Sequence, residues 1–324
     1  MKTVAILAGG HSTEHEISIA SGRTAERAFI DAGYQVLFVV LNKEGFWLDG
    51  QQVKLTDLGL DYVFNIIHGT PGEDGHISGM LDVFGIPHST CPTFQSALTF
   101  NKYSCNQLLR AAGYRVPKGQ LFHAQPDASV FENWNFPIFV KPNRAGSSFG
   151  VTRVENVEAL DQAFAYAFSE DDEVLVEEGV IGTEVGCGVL MSSVDFTTGE
   201  SREATAEAIA ITEIVPTESA FFDYQAKYEG KSQEITPARI PAATAEKIAS
   251  ISKSVYNHLK LEGIVRIDFI IDQQGEPTMI EINSIPGLSP ASIIPQQIKF
   301  RNWELSTVLC TLAEEAMARA KKNQ

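Results

Sequence analysis

LEGIVRIDFIIDQQGEPTMIEINSIPGLSPAS, residues Leu261 to Ser292, is the stretch on which the reading of the whole chain turns. From Gly263 to Asp272 it crowds β-branched and aromatic residues together, the pattern of a strand covered on both faces. Gln273-Gln274-Gly275-Glu276-Pro277 is a turn, and a second strand from Thr278 to Ile282 returns against the first. Asp268 and Glu281 then face one another across the hairpin, with Asn283 just beyond. Two carboxylates and an amide oxygen are hard ligands, so these three residues form a candidate site for magnesium or manganese rather than zinc, of the kind that also binds nucleotide phosphates. Arg266 precedes Asp268 by two residues, and strand alternation puts both on one face. The alternative, a solvated face with incidental charge, fits poorly with flanks this apolar.

The 324 residues include 25 basic and 41 acidic side chains, a net charge of −16. That balance argues against a nucleic-acid or anionic-membrane surface, so an anionic ligand must be held by local cations or a metal. The length allows two or three compact units. Cys91, Cys105, Cys187 and Cys310 have neither paired-ligand nor disulfide-framework spacing, and read as reduced, mostly buried thiols of a cytoplasmic protein. The apolar run Val4 to Ala8 stops at Gly9-Gly10, too short for a signal peptide or a membrane span.

Thr3 to Leu7 reads as a first strand, followed by a glycine turn and a helix capped by Ser12 or Thr13. It lacks the full glycine spacing of a dinucleotide fingerprint. A helix start at the carboxyl end of a sheet strand is nevertheless where an α/β domain puts ligand groups. Glu14 is placed there to accept from an ammonium group, or else simply to complement the helix dipole. His11 and His15 have no third ligand in view and read as surface or supporting residues. Strands follow at Gln35 to Val40 and Tyr62 to Ile67, the latter delivering His68 into HGTPGEDGHISG, whose glycines are too dense for a plain connection. Alternation of strands and helices predicts a small parallel sheet of about a hundred residues.

Composition changes near Thr99. A helix is predicted over Lys102 to Ala112, and a strand from Phe136 delivers Lys141 into PNRAGSSFG, a glycine-serine loop whose amides and hydroxyls suit phosphate oxygens or form an ordinary hairpin turn. A strand from Glu173 to Glu178 precedes Gly182-Thr183-Glu184, which suits an adenine and a ribose. Alternation from Val189 to Ala210 predicts an antiparallel sheet. FFDYQAKYEGKSQ has no period, so Ala220 to Gln233 reads as a loop closing over a site. Helices are predicted over Ala242 to Leu259 and Trp303 to Lys322.

Taken in order, HGTPGEDG, KPNRAGSSFG, FDYQAKY, RIDFI and EINSIPGLSPAS, with STEHEIS near the start, resemble the D-alanyl-D-alanine ligases of the ATP-grasp superfamily, over nearly the whole chain. The resemblance implies an α/β and α+β architecture: an amino-terminal parallel-sheet domain (1–99) followed by a two-part ATP-grasp fold, a central lid (100–186) and a carboxy-terminal domain around the hairpin (187–324). It implies ATP as cofactor, with Lys102, Lys141, Ser147 and Ser148 at the phosphates, Glu177 and Val180 at the adenine and Glu184 at the ribose. Asp268, Glu281 and Asn283 would hold two magnesium or manganese ions, Glu281 shared between them. Glu14 and His68 would hold a first D-alanine, and Lys227 and Ser292 the carboxylate of a second. Arg266 and the Gly287 amide would stabilise the oxyanion, while Glu14, Ser147 and Tyr228 would form a network across the closed site. A cytoplasmic homodimer serving cell-wall precursor synthesis, without nucleic-acid or membrane partners, completes the expectation.

Some positions depart from the usual pattern. Ala145 stands where many members have Glu, Ser284 where Thr is common, and Pro290-Ala291 where Ser-His is frequent. EVGCG at Glu184 to Gly188 is closer to ligases that accept D-serine or D-lactate. A D-alanyl-D-serine or other amino-acid ligase, and a non-catalytic ATP-binding regulator, are the alternatives. The regulator is expected to lack a metal ligand or Arg266, and neither is missing.

Overall fold

The computed structural model describes residues 1–146, 149–216 and 232–322. Its amino-terminal unit runs β1 (Thr3–Gly9), α1 (His15–Asp31), β2 (Gln35–Asn42), β3 (Gly45–Leu48), β4 (Gln51–Val53), β5 (Tyr62–Asn65) and α2 (His76–Val83). The sheet order is β4-β3-β2-β1-β5, with β1 parallel to both β2 and β5. The expected parallel sheet is therefore mixed, because β3 and β4 fold back antiparallel on β2. Asn42 causes the reversal: its Oδ1 accepts from Glu44 N at 2.8 Å and Trp47 Nε1 at 3.1 Å, closing a tight turn that sequence periodicity does not register. Along β1 the side chains alternate between two cores, Val4, Ile6 and Ala8 on one face and Ala5 and Leu7 on the other. Helix α1 begins without a side-chain cap. Ser12, expected there as the cap with Thr13 as the alternative, instead accepts from Glu14 N at 3.2 Å and donates to His68 O at 2.8 Å, tying two site loops together.

Next come α3 (Thr93–Phe100), α4 (Lys102–Ala111), β6 (Gly119–Phe122), β7 (Ile138–Pro142), β8 (Thr152–Val154), α5 (Leu160–Phe168) and β9 (Val174–Glu178). The strands make an antiparallel sheet of order β6-β9-β7-β8. Its core is small and aromatic, with Phe122 edge-on to Phe164 at 5.6 Å.

The last unit contains β10 (Thr183–Val194), β11 (Ser201–Pro216), β12 (Ser232–Ile235), α6 (Ala242–Leu259), β13 (Val265–Ile271), β14 (Pro277–Asn283), α7 (Ile293–Phe300) and α8 (Leu305–Lys322). Its antiparallel sheet has the order β12-β11-β10-β13-β14. Cys105 and Leu109 of α4, together with Val116, pack into the core of this sheet against Val185, Ile267 and Phe269. The expected break after residue 186 falls inside β10. Helix α8 and α7 meanwhile share a core with the first unit, where Trp303, Val308 and Ile294 join Ile6, Phe29 and Phe64. All four cysteines are free. Burial pushes the thiols of Cys91, Cys105 and Cys187 up to about 12 and that of Cys310 to about 11, which keeps them unreactive.

Candidate active site

The hairpin is built as its sequence suggests. Asp268 pairs directly with Glu281 across β13 and β14, and Arg266 pairs with Asn283. A bulge follows at once, since Phe269 pairs with Met279 and Ile280 is the extra residue. Bulges twist a strand locally and re-aim the side chains beside them. Arg266 and Asp268 are both buried and form a two-pronged pair, Nε to Oδ1 at 2.7 Å and Nη2 to Oδ2 at 2.8 Å. Asn283 Nδ2 donates to the same Oδ2 at 2.9 Å. Room for the pair comes from Gly186 opposite, where a Cβ would lie 3.0 Å from Asp268 Oδ1 and 3.2 Å from Arg266 Cδ. The carboxylates of Asp268 and Glu281 and the carbonyl oxygen of Asn283 make an all-oxygen donor set on adjoining strands, which fits a hard divalent cation.

A cleft of about 490 Å³ runs from Asp268 and Glu281 past Lys102 and Lys141 to Val180 and Glu184. Lys102 bridges its two walls, with Nζ 2.5 Å from Ala145 O and 3.8 Å from Glu281 Oε2. Lys141 Nζ is 2.5 Å from Glu177 Oε2, while Glu177 Oε1 accepts from Asn106 Nδ2 at 2.7 Å. Glu177 is thus a buried anchor that aims Lys141, a role in addition to the adenine contact expected of it. The loop after Lys141 is rooted by two neighbours that sequence reading passed over. Asn143 is fully buried; its Oδ1 accepts from Tyr103 N at 2.8 Å and its Nδ2 donates to Glu173 at 2.7 Å. Arg144 pairs with Asp171, donating from its backbone N at 2.7 Å and from Nη2 at 2.6 Å, so its charge anchors the loop root.

The amino-terminal unit meets the cleft at Gly146. Glu14 is buried, and a Cβ at Gly146 would collide with its Oε2, so this carboxylate sits directly against the glycine-serine loop. β5 ends at Asn65, two residues short of the expected Ile67, and His68 is buried in the segment that follows, with Nδ1 3.1 Å from Ile285 O. A carbonyl can only accept, so Nδ1 carries the proton. Leu288 N donates to Ser21 Oγ at 3.1 Å, so that α1 too is tied to the loop after β14. That loop brings Gly287 beside Ser292, whose Oγ would be 3.0 Å from a Cβ at Gly287. Ser292 flanks the start of α7 without using its side chain as a cap, and helix amino termini suit carboxylates. His11 and His15 contact backbone carbonyls, Asn42 O and Gly10 O at 3.0 Å each, in keeping with supporting roles.

Glu73, in the glycine-dense loop, was not singled out by sequence. Its Oε2 accepts from Gly69 N at 2.8 Å. Burial, reinforced by the nearby Glu14 charge, pushes its carboxyl up to about 8. Its place between four glycines was the available signal. Asn143 gave none, because Asn after Pro reads as a turn residue whatever its partners. Ser147, Ser148, Lys227 and Tyr228 lie outside the described residues, as does most of the Ala220 to Gln233 segment; its last two residues begin β12. A second cavity of about 540 Å³ opens between β5, α6 and α8. It contains none of the expected ligand residues, whereas Lys102, Lys141, Glu184, Asp268 and Glu281 all line the cleft.

Two family models match the chain, the D-ala D-ala ligase N-terminus over residues 3–58 and the D-ala D-ala ligase C-terminus over residues 114–314. The D-alanine--D-alanine ligase of Parabacteroides distasonis is 38% identical, with 99% of each chain covered. Among solved structures, D-alanyl-alanine synthetase A from Vibrio cholerae superposes with a TM-score of 0.85 at 27% identity, covering 98% of both chains. VanG D-Ala:D-Ser ligase from Enterococcus faecalis superposes with a TM-score of 0.80 at 30% identity, covering 97% of this chain and 99% of that one.

Proposed function

This chain belongs to the D-alanine–D-alanine ligase family, and from that premise we propose how its own residues carry the reaction. The protein is an ATP-dependent ligase that joins two D-alanine molecules for peptidoglycan synthesis, and it uses ATP and a divalent metal. The observation that supports our assignment best is the convergence of Lys102, Lys141 and the Asp268–Glu281 pair on one cleft, with Glu14 against Gly146 of its lining.

In our reading ATP lies along that cleft, phosphates toward Lys102, Lys141, Ser147 and Ser148, adenine toward Glu177 and Val180, ribose on Glu184. Asp268, Glu281 and Asn283 would hold two magnesium ions, Glu281 serving both, and manganese would accept the same donors. Bound metal supplies charge neutralisation at the phosphate oxygens. Glu14 and His68 fix the first D-alanine so that its carboxylate meets the γ-phosphoryl group in line. ADP leaves as the acyl phosphate forms, and the neutral amine of the second D-alanine then displaces inorganic phosphate from it, losing a proton as the amide forms, while Lys227 and Ser292 hold its carboxylate. Charge then builds on the carbonyl oxygen. The Gly287 amide and Arg266 face it, two of the five guanidinium donors being already committed to Asp268. Ser147 and Tyr228 join Glu14 in tying the closed site together.

D-alanine is the second substrate we favour, with D-serine a poorer one, because an apolar pocket rejects an added hydroxyl only by roughly a hundredfold. The likeness to VanG favours D-serine. Against that, the EVGCG pattern has a packing cause here: side chains at Gly186 and Gly188 would crowd Asp268 and Gln297 respectively. We also propose a cytoplasmic homodimer, supported by free buried cysteines and by exposed Val83, Phe84 and Phe94 on α2 and α3. No helix among the described residues is long and apolar enough to cross a membrane. By core packing we divide the chain into an amino-terminal unit, a lid spanning β6 to β9, and a carboxy-terminal unit that includes α3 and α4.

Phosphate release from ATP, measured with D-alanine, D-serine, D-lactate and L-alanine in turn, tests the assignment. D-alanine alone should support rapid release with dipeptide formed in equal amount. In an equal mixture of D-alanine and D-serine, a predominance of D-alanyl-D-serine would overturn our second-site reading.

A further inference from the structure

Gln297 on α7 is fully buried, and its amide is bonded on both sides. Oε1 accepts from Gly188 N at 3.0 Å; Nε2 donates to Gly186 O at 2.9 Å and to Thr212 Oγ1 at 3.0 Å. These bonds occur where β10 slips against β11, since Cys187 pairs with Ile211 but Val189 pairs with Ala208. At such an irregularity ladder bonds are lost, and the amide of Gln297 satisfies backbone groups on the strand.

The strand it grips matters for the site. Gly186 and Gly188 are the direct cross-strand partners of Asp268 and Arg266 on β13. A Cβ at Gly186 would crowd the Arg266–Asp268 pair, and one at Gly188 would collide with Gln297 Oε1. Residues two apart on a strand share a face, so the amide of Gln297 and the Arg266–Asp268 pair lie on the same face of the sheet. The same helix begins immediately after Ser292. Thr212 extends the network, its Oγ1 lying 2.6 Å from Thr236 Oγ1.

We propose that Gln297 is a positioning residue for the acceptor half-reaction: it fixes the start of α7, with Ser292, relative to the Arg266–Asp268 pair. This rests on the acceptor role given to Ser292 above. It touches neither substrate nor reacting atoms. Its effect is therefore confined to where the second amino acid sits when its amine meets the acyl phosphate.

The test compares steady-state constants for ATP, first D-alanine and second D-alanine in Gln297→Leu and the parent, with melting temperatures alongside. The expected result is a rise of about tenfold or more in KM for the second D-alanine, the equivalent of misplacing one such contact, while KM for ATP and for the first D-alanine stays near the parent's. A purely structural role would instead lower the melting temperature and kcat with all three KM values unchanged, and that pattern overturns the proposal. If Gln297→Leu does not fold, Thr212→Val supplies the same comparison with a smaller rise expected, and unchanged second-site KM there overturns it equally. Gln297→Glu adds a rescue arm: a neutral carboxyl can still accept from Gly188 N and make one of the two donor bonds, whereas the carboxylate can donate neither, so the second-site defect should shrink at low pH relative to the parent. A parent that fails to make dipeptide at all would remove the ligase reading itself, an outcome distinct from any of these.

Discussion

On the hairpin side of the cleft, Arg266, Asp268 and Asn283 are joined by bonds that strand register alone provides, two residues along β13 or one step across to β14. On the nucleotide side, Lys141 is aimed by Glu177 from β9, Glu177 is steadied by Asn106 from α4, and the loop root hangs on Asn143 between α4 and the residues before β9. The first arrangement is local in sequence. The second draws on residues as far apart as 71 positions. It follows that a fault on the hairpin should strike chemistry while the fold stands, whereas a fault at the loop root should reach both nucleotide affinity and stability.

Glu281→Gln probes the hairpin side most severely. The side chain is partly exposed and faces Asp268, so folding should survive while turnover falls by about 10³-fold, the upper range for removing one preorganised electrostatic contact. Release of ADP at saturating magnesium measures this, and turnover near the parent's would break the assignment of Glu281 as metal ligand.

Asn143→Ala probes the other side. Two buried partners, Tyr103 N and the Glu173 carboxylate, lose their bonds, which should cost about 2–3 kcal/mol in denaturant melts and raise KM for ATP. A stability loss with unchanged KM for ATP would mean that the loop root is scaffold only, and the contrast between the two walls would fail.

Glu73 offers a pH test at the amino-terminal end. Its carboxyl is raised from 4.5 to about 8 by burial and the Glu14 charge. A raised carboxyl costs nothing while both folded and unfolded states are protonated, below the unfolded value. The penalty grows as pH climbs through the interval and is complete above the folded value. Glu73→Gln should therefore gain stability relative to the parent as pH rises from about 5 to 8, read as a widening difference in melting temperature without ligand. A constant difference across that range would show that Glu73 is not held protonated.

Arg144→Gln should have the smallest effect. Its side chain is 39% exposed and its partner Asp172 lies at the surface, while the more buried Asp171 keeps its bond from the Arg144 backbone N in the variant. Screening by solvent limits such pairs to about 1 kcal/mol or less. A loss as large as that of Asn143→Ala would mean that surface charge, not the buried amide, roots the loop.

Legibility followed the same division. The hairpin could be read because the residues that pair lie within Leu261 to Ser292: alternation puts Arg266 beside Asp268 and the turn returns the second strand against it, while the bulge at Ile280 brings Glu281 opposite. Sequence likewise located the first strand, the long helices and the glycine-rich loops, each of which is a period or a composition within a short window. Helices α3 and α7 went unread because each has only 8 residues, too short a window for a helical period to be told from a buried strand or loop. The β3–β4 edge was missed because its strands have 4 and 3 residues, too few for alternation to show.

What the sequence determined by itself was therefore local: which stretches are strands or helices, which residue types could bind phosphate or a hard cation, and, through the order of its motifs, the family. Only the tertiary structure decided that α4 belongs to the core of the third sheet, that Glu177 aims Lys141, that Glu14 rests against Gly146, and that Gln297 clamps the strand behind Arg266 and Asp268. The physical reason is that periodicity reports which face of an element is buried, whereas each buried polar group must find a partner of suitable geometry. In this chain those partners come from elements distant in sequence, and no pattern along a single segment can name them.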